Sequence, residues 1–162
     1  MDVRYINPFV KSIKNLFQTM LSTDVAFGRP FIPSPEDDWR TDVSGVIGFS
    51  GDASGAVILA FSMDTATKLA SQFAGDTMTA EHPDFADAIG ELANMVAGGA
   101  KPEFEGLDIS ISLPSVIVGE KHEVSNSRIH PGLVIPCETA LGNFRVHVAM
   151  KVENLATVGA SS

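Results

Sequence analysis

The chain has 162 residues, of which 44% are hydrophobic and 19% charged; this fits one globular domain with a real core and excludes a disordered chain. With 20 acidic against 11 basic side chains its net charge is -9, so the Lys/Arg stripe that a nucleic-acid backbone requires is missing. No run approaches the ~20 apolar residues that span a bilayer.

Cys137 is the only cysteine, so there is neither an intrachain disulfide nor a Cys-x-x-Cys motif. The amino terminus has no basic stretch followed by a long apolar run, which is the pattern of a signal peptide. The cytoplasm is therefore the expected compartment.

Residues 5–21 are predicted to form the first helix. Ile6, Phe9, Val10, Ile13, Leu16, Phe17 and Met20 recur at the spacing of one apolar stripe. Pro8 falls in the first turn, where its missing N–H costs little. The proline-rich stretch 28–39 reads as a loop or short edge strand. Strands follow at 43–49 and 55–62, joined by a Gly- and Asp-containing segment with hairpin chemistry. A second helix opens at Met63 with Asp64 as its expected cap and stops at Gly75.

After a connector at 76–83 comes the most informative element, a helix over 84–99. Phe85, Ile89, Leu92 and Val96 form its buried stripe. Glu91 and Asn94, three residues apart, share another face with Asp84, Asp87, Gly90, Ala97 and Gly98. A face so small and flat around two polar side chains suits docking against another surface. Gly98, Gly99 and Pro102 are expected to end or kink this helix.

The remainder has strand character at 109–118, 133–138 and 143–152, the last alternating through Phe144, Val146, Val148 and Met150. Gly142-Asn143 suits the tight turn before the final strand. The polar stretch 119–130 reads as a long hairpin loop, and 154–162 as a flexible tail. The order of elements predicts a single α+β domain over 1–153, with a mostly antiparallel sheet and long helices packed on one face.

Glu-x-x-Asn alone is a weak signal. With 9 Glu and 6 Asn in 162 positions, about a third of a match arises by chance, and Glu123-Val-Ser-Asn126 matches too. What distinguishes Glu91 and Asn94 is their amphipathic helix and the small residues around them. Otherwise Glu91 is an ordinary solvated residue and Asn94 a mild helix defect. Other candidates are weaker. His82, His122, His130 and His147 lack metal-ligand spacing. Asp84 and Asp87 are simply read as favourable to the helix dipole. Cys137, in an apolar strand, reads as packing.

The segment Asp87-Ala-Ile-Gly-Glu-Leu-Ala-Asn-Met-Val-Ala-Gly-Gly-Ala-Lys101 resembles the active-site helix of the CheC/CheX/FliY chemotaxis phosphatases, whose motif is a Glu and an Asn separated by two residues. The Tyr5-Ile-Asn-Pro-Phe-Val-Lys-Ser opening and the Gly51-Asp-Ala-Ser-Gly hairpin with its following helix are similar to the same family. The likeness spans residues 1–152 and is nearest the CheX branch, because only one copy of the motif stands in helical context.

The resemblance implies a CheC/CheX-like fold and a phosphatase that hydrolyses the aspartyl phosphate of a CheY-like response regulator. It implies that Asn94 orients the attacking water and that Glu91 pairs with a lysine of the regulator. Asp87, Gly90, Ala97 and Gly98 would form the docking surface around them. No cofactor is expected on this chain; Mg²⁺ is expected in the regulator. The partners are then the phosphorylated regulator and a second copy, a homodimer formed by pairing of the carboxy-terminal strands, with no nucleic acid and no membrane. A non-catalytic module that docks a regulator or a flagellar switch protein is the alternative.

Overall fold

The computed structural model describes residues 3–34, 36–38, 40–124 and 132–152. Helix α1 (Asn7–Met20) follows a 3-10 turn at Val3–Tyr5, with Pro8 in its first turn. Strand β1 (Ala26–Phe27) is short, and the proline-rich stretch beyond it meets the sheet at Gly28, whose N donates to Pro136 O, at the bridge from Phe31 to Val134, and at Asp38, whose carbonyl accepts from Arg145 at 2.9 Å. The hairpin of β2 (Thr41–Gly51) and β3 (Ala53–Phe61) leads into α2 (Met63–Ala74) and then α3 (Phe85–Ala100). Strands β4 (Ile109–Ile111), β5 (Ser115–His122), β6 (Leu133–Thr139) and β7 (Gly142–Val152) complete the chain.

The strands form one antiparallel sheet in the order β1-β6-β7-β3-β2-β4, with β5 also paired to β2. Alternate residues of the central strands (Val43, Ile47 and Phe49 of β2, Val57 and Phe61 of β3, Phe144, Val146 and Val148 of β7) point to one side and meet the apolar stripes of the helices in a single core. Period-two alternation on the strands and the helical period on α1 and α3 thus converge on one buried layer. Aromatic pairs tie α1 into it: Phe9 lies 5.7 Å from Phe49, and Phe17 stacks on Phe144 at 5.3 Å. This is the predicted α+β architecture with helices on one face.

Several local expectations are corrected. The cap of α2 is Ser62 and not Asp64: Ser62 is extended, and its Oγ accepts from Thr65 N at 3.2 Å. Asp64 is the second residue of the helix and forms an exposed 3.0 Å ion pair with Lys68. Helix α3 runs straight through Gly98 and Gly99 to Ala100, and Pro102 lies in the 3-10 turn that follows. The β6–β7 turn is made by Ala140 and Leu141, and Gly142 already pairs with Thr139. Glycine is required there because φ is 128° and a Cβ would overlap Thr65 Oγ1.

The 109–118 segment splits into two strands at Pro114, which has no N–H for a ladder. Strand β5 extends to His122, so the first part of the expected loop at 119–130 is strand. Asn126 and His130 fall outside the described residues, as does the expected tail at 154–162. Strand β7 pairs with β3 along Phe144–Val152 on one side and with β6 along Gly142–Val148 on the other, so among the described residues only its end, Ala149–Val152, lacks a strand on the β6 side. The outer edge of β6 meets β1 at Cys137 and Glu138 and Phe31 at Val134.

Candidate functional site

Helix α3 is seated by its apolar stripe. Phe85, Ile89, Leu92 and Val96 are each 2% exposed or less. Each fully buried side chain of this size contributes about 1.5–3 kcal/mol, which fixes the rotation of the helix about its axis. On the sheet side Gly45 of β2 admits the helix: a Cβ there would lie 3.0 Å from Ala93 Cβ. On the α1 side Ser12 Oγ donates a buried 2.7 Å hydrogen bond to Val96 O, and a Cβ at Gly99 would overlap that hydroxyl. Small residues on both sides therefore let α3 sink between α1 and the sheet.

What remains outside is a narrow polar face. Asp84, Asp87, Glu91 and Gly98 are exposed, and Asn94 is partly exposed at its edge. Glu91 and Asn94 stand about one turn apart on this rigid helix. Among the described residues neither side chain is engaged in a hydrogen bond or ion pair. A carboxylate and a carboxamide are thus presented together, with their hydrogen-bonding capacity turned outward.

Two of the four residues assigned to docking are not on that face. Ala97 is 0% exposed, and Gly90 is buried under the segment before β5. A Cβ at Gly90 would meet Val116 Cγ2 at 3.2 Å and Pro114 Cγ at 3.4 Å. Gly90 is thus in close packing with Pro114 and Val116, and Ala97 is closed off from solvent. Asp87 and Gly98 stay on the outer face.

The flanks of the face were not evident from the sequence. On one side runs a groove of about 420 Å³ between α1 and the end of α3, lined by Lys11, Met20, Met95 and Glu103 among others. On the other lies the β4–β5 connection, where Leu113 is 88% exposed. Periodicity alone reads Leu113 as part of a strand and gives no sign of its exposure.

The remaining candidates have structural places. Cys137 is 1% exposed, and burial pushes its thiol up to about 12, which suits packing and not nucleophilic attack. His82 Nδ1 accepts from Asp84 N at 3.0 Å, at the entry to α3. His122 Nδ1 lies 2.6 Å from Gly119 O and must donate to it; in the neutral ring Nε2 then accepts from Ser44 Oγ at 2.8 Å. Burial and, to a lesser degree, the Arg145 charge lower His147 to about 4. Among the described residues no group of three His, Cys, Asp or Glu side chains is placed to hold a metal ion, and no helix is long and apolar enough to cross a membrane.

An antiparallel sheet with helices packed on one face defines an α+β domain, one of whose helices, α3, turns two unengaged polar side chains outward. Comparison with known proteins gives the family. Residues 43–138 match the model of the chemotaxis phosphatase CheX. The CheY-P phosphatase CheX of Thermotoga maritima is 31% identical over 129 residues, which cover 78% of this chain and 83% of that protein. The crystal structure of the chemotaxis protein CheX from Vibrio vulnificus superposes with a TM-score of 0.83 at 27% identity, covering 91% of this chain and 99% of that one. A CheX-CheY-BeF3-Mg complex from Borrelia burgdorferi shares the fold, with a TM-score of 0.75 at 23% identity over 91% of this chain and 97% of that one. The chain belongs to the CheX family of chemotaxis phosphatases.

Proposed function

We propose that this chain hydrolyses the aspartyl phosphate of a CheY-like response regulator, with Asn94 aiming the water and Glu91 holding the partner. The observation that carries this is the paired, unengaged presentation of Glu91 and Asn94 on the outer face of α3. Family membership and the Thermotoga relative named as a CheY-P phosphatase support it. So does the Borrelia complex, in which a protein of this fold is bound to CheY.

Hydrolysis of an acyl phosphate passes through a loose transition state, so catalysis rests on positioning and on charge. The Asn94 carboxamide suits the first task. Its oxygen accepts a hydrogen bond from a water while its nitrogen donates to a second acceptor, and no base is required. Glu91 as a carboxylate accepts from a lysine ammonium beside the phosphoaspartate, a charge-assisted contact that strengthens as the interface excludes water. Mg²⁺ is assigned to the regulator, where it offsets phosphoryl charge, and no residue of this chain is assigned to it.

The same family likeness carries the expectation of a cytoplasmic homodimer joined by sheet pairing. Binding without hydrolysis is the competing outcome, and Asn94 separates the two. Asn94→Ala is expected to abolish accelerated dephosphorylation and leave binding of the regulator largely intact, whereas Glu91→Ala weakens both. A phosphorylated-regulator lifetime that the wild-type chain leaves unchanged overturns the enzymatic function.

A further inference from the structure

We infer that Leu113 is an apolar docking anchor for the phosphorylated regulator, set beside the Glu91–Asn94 face; this rests on the proposed phosphatase function. Leu113 is 88% exposed, about twice as much as Ile117 and Val118 of β5, at 38% and 43%. Such a residue standing alone is unremarkable on a protein surface. Its location and its stiffness are what give it a use.

The location follows from α3. Gly90 and Asn94 are four residues apart and so lie one above the other on the helix. Pro114 and Val116 pack over Gly90, at 3.4 and 3.2 Å from where its Cβ would stand. The β4–β5 connection therefore runs along the Asn94 side of the helix, and Leu113 is the residue next to Pro114. The register agrees. Val116 and Val118 pair with Gly45 and Val43 of β2, and those residues face the helices, so β5 turns this side toward α3 as well.

The stiffness comes from hydrogen bonds on the sheet side. Ser112 N donates to Gly48 O at 2.9 Å, and Gly48 N donates to Ser112 Oγ at 2.9 Å. The same hydroxyl donates to Leu113 O at 2.9 Å. Pro114 fixes the following φ. Leu113 is thus clamped from both sides while its side chain stands in solvent. With its backbone already fixed, Leu113 gives up only its own rotamer freedom on binding, about 0.5–1 kcal/mol, which favours it as an anchor.

The occupant is set by the neighbouring charges. Asp84, Asp87 and Glu91 are exposed along α3, and the helix carries no basic residue. The matching surface places a basic group opposite Glu91 and an apolar recess opposite Leu113. A regulator whose phosphoaspartate lies beside a lysine supplies the first, and the recess is the feature newly required of it.

The test uses the full chain with a CheY-like regulator from the same organism, activated by beryllofluoride for binding and by a small acyl phosphate for turnover. Leu113→Ala is expected to raise both the Kd and the KM about ten-fold, with kcat at saturation and Tm unchanged. Leu113→Met should restore most of the affinity. Ile32→Ala, which removes a 69% exposed side chain near the opposite edge of the sheet, should change neither constant. A Kd and KM for Leu113→Ala within about two-fold of wild type, or an equal loss in Ile32→Ala, overturns the anchor. Wild-type binding without accelerated dephosphorylation would instead remove the phosphatase function and still let the Kd decide on Leu113.

Discussion

Two adjacent glycines in the last turn of α3 should respond to alanine in opposite directions. Gly98 is exposed, and a Cβ there meets nothing within 4 Å. Gly98→Ala therefore keeps the gain in helix propensity, about 0.5–1 kcal/mol. At Gly99 a Cβ overlaps Ser12 Oγ and stands 3.3 Å from Ser12 Cβ. The hydroxyl must swing away and give up its 2.7 Å bond to Val96 O. A hydroxyl left buried without a partner costs about 1–3 kcal/mol, and α1 must also yield by a few tenths of an ångström. Loss exceeds gain, so Gly99→Ala should destabilise by about 1–2 kcal/mol. Adding Ser12→Ala removes the displaced hydroxyl, so the double variant should show a favourable coupling of about 1 kcal/mol. Urea midpoints of five proteins at neutral pH (wild type, Gly98→Ala, Gly99→Ala, Ser12→Ala and the Ser12→Ala/Gly99→Ala double variant) read this directly. If Gly99→Ala raises the midpoint as much as Gly98→Ala does, α1 and α3 are not in close contact, and the seating of Glu91 and Asn94 derived from that contact is wrong.

Two further outcomes bear on the scaffold. Ser62→Ala removes the acceptor of Thr65 N and should cost about 1 kcal/mol, whereas Asp64→Ala loses only an exposed ion pair, within about 0.5 kcal/mol; chemical denaturation showing the reverse order would return the cap to Asp64. His147, lowered to about 4 from 6.5 mainly by burial, stays neutral in the folded chain while the unfolded chain takes up a proton below pH 6.5. Its contribution to stability is complete above pH 6.5 and is lost as pH falls toward 4. Between pH 6.5 and 5 this amounts to about 1.5 kcal/mol at most, and His147→Gln should flatten the stability profile in that window. An unaltered slope would show that another group is responsible.

The sequence carried the helices and the alternation of the strands because both are periodic, and burial followed that periodicity. The stripe Phe85, Ile89, Leu92 and Val96 is in the core as spaced, and Glu91 is at the centre of the free face. The flanks of that face were not legible. Gly90 and Ala97 look like surface residues on a helical projection, but a projection does not show that Pro114 and Val116 come to lie over Gly90. The exposure of Leu113 has the same origin, since it depends on Ser112 and Gly48, which are 64 residues apart. Turn and cap assignments missed by one or two positions where neighbouring residues offered the same chemistry. Ser62 and Asp64 can both cap, and only the extended backbone at Ser62 decides between them.

The hydrolytic role of Asn94 is decided by the lifetime of the phosphorylated regulator, measured alone, with the wild-type chain and with Asn94→Ala. The wild type is expected to shorten it, and Asn94→Ala to lose about a hundred-fold or more of that acceleration while still binding the beryllofluoride-activated regulator. A lifetime that the wild type leaves unchanged, or that Asn94→Ala shortens as effectively, would contradict it.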